Sequence, residues 1–115
     1  MVGALKTVDG IGLGRTITEQ PTLPRAILEG RTTGARDQAL DMNDFGLTAA
    51  VSMTQMVQIG DDHEPIDMSE PANVSAFTRD LVAWMEELRA DRDKREKFGS
   101  ARIKSVPAVP YTSRL

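Results

Sequence analysis

The chain has 115 residues, no cysteine and a single histidine. That composition excludes a disulfide scaffold, a thiolate zinc site, a thiol nucleophile and any multi-histidine metal centre. With a formal net charge of −3 it also lacks the basic surplus that neutralises nucleic-acid phosphates, so a nucleic-acid partner is not expected. There is no membrane-length apolar run and no basic-then-apolar leader, so neither a membrane association nor a signal segment is expected and the expected setting is cytosolic.

The first residues, Met1 to Thr7, read as the end of a helix. Val8, Ile11 and Leu13 are interleaved with Gly10, Gly12 and Gly14, a thin apolar run that suits a buried strand of a parallel sheet over 8–14. Thr22 then reads as an N-cap and Pro24 as a first-turn residue of a short helix. Leu23, Ile27 and Leu28 would face inward, and Gly30 would supply a left-handed stop. Residues 8–30 thus predict strand, loop and helix.

Residues 31–46 are polar and predict an irregular connection. Leu47, Val51, Met53, Met56, Val57 and Ile59 roughly suit one helix face, predicting a helix over 47–59. Gly60 to Pro65 predicts a turn. Ser69 is a candidate N-cap, followed by Glu70 and Pro71. From there Val74, Phe77, Leu81, Trp84 or Met85, and Leu88 recur at three- and four-residue steps, which predicts an amphipathic helix. The mixed charges from Glu86 to Lys97 suit its solvated end. Residues 99–115, with Pro107 and Pro110 and few large apolar groups, predict a disordered tail.

The motif Asp9-Gly10-Ile11-Gly12-Leu13-Gly14-Arg15 admits several readings. Its G-x-G-x-G spacing departs from the dinucleotide fingerprint, and the Gly-Lys-Ser/Thr ending of a P-loop is absent. A tightly packed strand end with a surface arginine is one reading. A phosphate grip is another: glycine lets a backbone N–H approach an anion, and the fork of Arg15 can hold phosphate oxygens in pairs. Asp61, Asp62, His63 and Glu64 form an acidic cluster, but contiguous ligands rarely surround one ion, and a solvated turn is expected. Trp84 with Phe77 and Leu81 suits a core-facing stripe, or a partner-binding face where nothing covers it.

This motif, followed by Glu19-Gln20-Pro21-Thr22-Leu23-Pro24, resembles the eighth strand and following helix of the old yellow enzyme family. Those proteins are FMN-dependent NADH:flavin oxidoreductases and ene-reductases on a (β/α)₈ barrel. The stretches Asn43 to Thr48, Gln58 to Gly60 and Glu64 to Ser69 resemble the C-terminal extension of a fungal branch. Thr16 stands where the family has proline, and Gln20 where it has asparagine. The resemblance covers residues from about 2 to 98. It implies an α/β fragment, an incomplete barrel that is mostly α in the isolated chain: the last βα unit of a TIM barrel over 1–30, a mainly helical extension over 31–98 and the tail beyond. It further implies that Gly14 and Arg15 contact the FMN phosphate, with NAD(P)H as reductant in the intact family. The family's substrate-activating and proton-donating residues would precede Met1. His63 and Tyr111 do not match them, so no catalytic residue is assigned. A lone strand 8–14 would lack both neighbours, so another chain, such as an intact paralogue, is expected to cover it. The rival expectation is a non-catalytic interaction module that binds a partner through the helix over 71–92.

Overall fold

A computed structural model describes residues 1–112. A 3-10 turn at Val2–Lys6 is followed by four helices: α1 (Thr16–Glu19), α2 (Leu23–Leu28), α3 (Phe45–Gly60) and α4 (Pro71–Ala90). The Cα radius of gyration is 16.0 Å, against roughly 13 Å for a compact domain of this length. The core is correspondingly small. Leu40, Val51, Ile66, Met68 and Phe77 form it, and Leu47, Val74, Leu81, Ile103 and Val106 pack around them.

The strand expected over 8–14 does not form, and no strand is present among the described residues. A central strand needs N–H and C=O partners on both edges, and no neighbouring strand supplies them. Instead Ile11 and Leu13 line an open apolar groove with Val2, Leu5, Ile27 and Leu28. The described residues are therefore helical, in line with the expectation of a mostly α isolated chain, without the strand of a βα unit.

Helix α2 starts as its sequence dictates, with Thr22 at the N-cap and Pro24 in the first turn, although the Thr22 side chain makes no capping bond. It ends in a Schellman arrangement. The Gly30 amide donates to Ile27 O at 3.0 Å and the Arg31 amide to Ala26 O at 2.9 Å, with Gly30 at φ +71°. Leu23 is buried, whereas Leu28, expected on the inner face, is 89% exposed on the groove.

Helix α3 begins at Phe45, before the expected Leu47, because Asp44 caps it: its carboxylate accepts from the Leu47 amide at 2.9 Å. Its buried face also differs from the apolar pattern. Met53 and Met56 are exposed, while Thr48, Ser52, Thr54 and Gln55 are buried beside Val51. Each buried polar group is satisfied. Thr48 and Ser52 bond back to helix carbonyls, and Gln55 Nε2 donates to Ile66 O at 3.0 Å.

Helix α4 starts at Pro71 with Glu70, not Ser69, at the N-cap. The Ser69 hydroxyl donates instead to Asp67 Oδ1 at 2.6 Å. Phe77 is fully buried, but the stripe loses cover along the helix, leaving Met85 43% exposed.

Residues 99–112 are not a disordered tail; they form a strap across α3 and α4 (113–115 lie outside the described residues). Ala101 is buried, and its carbonyl accepts from Thr54 Oγ1 at 2.8 Å. Ile103 and Val106 pack on the core. Asp80 Oδ2 accepts from the Lys104 and Ser105 amides at 2.7 and 2.9 Å, and its Oδ1 from the Ser105 hydroxyl at 2.6 Å. Further on, the Glu64 amide donates to Val109 O and the Tyr111 amide to Asp62 O.

Candidate functional site

Gly14 and Arg15 form the entry to α1. The Gly14 carbonyl accepts from the Ile17 amide at 3.2 Å, and the Arg15 carbonyl from the Thr18 amide at 3.1 Å. Thr18 Oγ1 reinforces the turn by donating to Arg15 O at 2.7 Å. Gly14 is exposed, and a Cβ there would meet nothing within 4 Å. The guanidinium carbon of Arg15 sits 5.1 Å from the centroid of the Phe45 ring, a cation–π arrangement. Phe45, the large apolar exception in the polar connection, thus aims Arg15 from the first residue of α3. Among the described residues, ion pairs engage Arg31, Arg36, Lys97, Arg102 and Lys104, whereas Arg15 lies against the Phe45 ring.

Beside Arg15 lies a cavity of about 20 Å³, bounded by Thr16, Glu19, Gln38, Leu40 and Gln55. That space holds about one water. The half-buried, aromatic-backed guanidinium of Arg15 is a candidate contact for an anion, and the small cavity beside it does not enclose a larger ligand.

A charged network behind Arg15 is not legible in the sequence, since residues 19, 36 and 67 share no motif. Glu19, at 5% exposure the best-buried acid, accepts from the Met68 amide at 3.1 Å. Arg36 approaches Glu19 at 3.5 Å and also pairs with Asp67. Burial holds the Glu19 carboxyl above its usual range, and bonds from Gln38 and the Met68 amide and the Arg36 charge only partly oppose it. Burial also pushes Asp67 upward, but bonds from the Ser69 hydroxyl and amide, with Arg36, leave it below the usual range. The network ties α1 to the segment entering α4, and so fixes the backbone that carries Arg15.

The other expected positions lie elsewhere. His63 is half-buried, its amide donating to Gln58 O at 2.8 Å and its backbone bridged to Pro110. Asp61 pairs with Arg102. Among the described residues no group of three acidic or histidine side chains could hold a metal ion, and no helix is long and apolar enough to cross a membrane. Trp84 is half-buried on α4.

No family model matches the chain. It is similar to the NADH-dependent flavin oxidoreductase nadA of Aspergillus parasiticus, with 38% identity over 94 residues. The matched stretch is 82% of this chain and 21% of that protein, so the chain spans about a fifth of the length of the curated relative. This similarity supports the flavin oxidoreductase resemblance at a coarse level and places a flavin and NADH among the relative's reactants.

Proposed function

We propose that this chain is the C-terminal part of an FMN-dependent NAD(P)H oxidoreductase and contributes to holding the FMN phosphate without being catalytic alone. The observation that carries the reading is the 38% identity over 94 residues to a flavin oxidoreductase. The half-buried Arg15 backed by Phe45 supports the phosphate assignment.

In this reading Gly14 leaves the backbone open to an anion and Arg15 supplies paired N–H donors to phosphate oxygens. Phe45 keeps the guanidinium plane oriented, and the Glu19–Arg36–Asp67 network holds α1 in place. A bound flavin supplies the hydride-transfer chemistry; the residues here bind and orient and move no proton of the reaction. The apolar groove formed by Val2, Leu5, Ile11, Leu13, Ile27 and Leu28 is the face that meets the remainder of the flavoprotein, in an intact paralogue or another chain.

Titrating the full chain with FMN and with riboflavin tests the phosphate assignment. FMN is expected to bind about tenfold more tightly, as one charge-assisted contact implies. Arg15→Ala is expected to abolish that difference. Equal affinities for the two ligands would contradict the assignment.

A second reading is a non-catalytic module that binds a partner through the helix over 71–92. The exposure of Val82 and Met85 on α4 favours it. Val82→Lys would then abolish partner capture while leaving flavin binding untouched.

A further inference from the structure

The strap is fastened to α4 at one point of concentrated hydrogen bonding. Asp80 takes three donors from two consecutive strap residues: the amides of Lys104 and Ser105 and the Ser105 hydroxyl. Ser105 is exposed and lies in a segment without regular secondary structure. Arg102 stands three residues before it in Arg102-Ile103-Lys104-Ser105-Val106. An arginine at that distance in an accessible, irregular segment is the feature that basophilic serine kinases select.

We propose that Ser105 is a phosphorylation site and that its modification releases the strap from α4. A serine kinase with magnesium and a nucleoside triphosphate supplies the phosphoryl group. The Ser105 Oγ–P bond forms as the bond from the γ-phosphorus to the β-γ bridging oxygen breaks, the nucleoside diphosphate leaves, and the hydroxyl proton passes to the kinase's catalytic aspartate. The modified oxygen can no longer donate to Asp80. The phosphate, carrying nearly two negative charges at neutral pH, then stands where a neutral hydroxyl lay 2.6 Å from the carboxylate. The two anions repel, and the amide bonds on the same carboxylate open with them.

The charges around this point favour release over recapture. Arg102 is engaged by Asp61, and Lys104 lies 3.7 Å from Glu87, which also holds Lys97 at 2.5 Å. Arg79 on α4 is the cation acting on Asp80 itself. Ile103 and Val106 flank Ser105 and pack on the core, so release uncovers the apolar surface beneath them. The modification is thereby converted into an exposed apolar face.

The test treats the full chain with calmodulin-dependent protein kinase II and magnesium ATP, then maps the phosphate by mass spectrometry and follows amide hydrogen exchange. Ser105 is expected to carry the phosphate. Thr18, which also follows an arginine by three residues, is expected to stay unmodified because it is half-buried within helix α1, whereas Ser105 is exposed in an irregular segment. Exchange of the Lys104 and Ser105 amides is expected to rise about tenfold or more on modification. In Asp80→Asn, which keeps an acceptor without the charge, the rise is expected to shrink to a fraction of that. A chain with no phosphate on Ser105 overturns the site. Unchanged exchange after modification, as when Arg79 captures the phosphate, overturns the release; so do strap amides already fully exchanged in the untreated chain.

Discussion

Glu19 and Asp67 share Arg36 yet titrate in opposite directions, which makes them the residues to read by pH. Glu19 is raised in the folded chain, so folding binds its proton more tightly than the unfolded chain does. Its contribution is present below the unfolded value of 4.5 and is lost as pH rises through the folded value. Asp67 is lowered, so its contribution is present above 3.8 and is lost as pH falls through the folded value. Glu19→Gln keeps an oxygen for the Met68 amide and removes the buried charge. Its melting temperature is expected to match the parent near pH 4 and to exceed it at pH 7. A lower melting temperature at pH 7 would show that the Arg36 attraction outweighs the burial cost. At this same scale the sequence showed Gly14 and Arg15 but not what surrounds them. The Phe45 ring reaches Arg15 across thirty positions, and Glu19 meets the Met68 amide across 49. No local pattern announces such contacts.

The helices were legible where local chemistry decides them. Gly30 closes α2 at φ +71° with open space around it, so Gly30→Ala is expected to cost about 1 kcal/mol through conformation alone. Asp44→Ala, which removes the α3 cap, is expected to cost about 1 kcal/mol as well. Chemical denaturation measures both. The elements misjudged from sequence are those whose state depends on distant partners. Residues 8–14 have the composition of a buried strand but no strand to pair with. The strap has the composition of a free tail, yet Thr54 supplies a donor and Asp80 an acceptor that hold it. Helix α3 was found by its apolar residues although its buried face is largely polar, because Thr48, Ser52 and Gln55 each find an internal partner. Thr54→Val leaves the Ala101 carbonyl buried without its donor, at an expected cost of about 1–3 kcal/mol. Strap exchange rates should rise with it.

Across the whole molecule, a small core stands beside an uncovered apolar groove. Leu5 and Leu28 are 53% and 89% exposed, so Leu5→Lys and Leu28→Lys are expected to leave the chain's own stability within about 0.5 kcal/mol. Both should weaken capture by the Aspergillus parasiticus enzyme lacking its matching fifth, if that groove meets the rest of a flavoprotein. The length and composition that first excluded metal and thiol chemistry fit the proposed reading, in which Arg15 contributes to a larger site. The most direct measurement grafts this chain in place of the matching stretch of nadA and determines flavin content after purification, with and without Arg15→Ala. The expected result is a chimera that retains FMN and an Arg15→Ala chimera that loses most of it. A colourless chimera, or equal flavin content in both, would contradict the account.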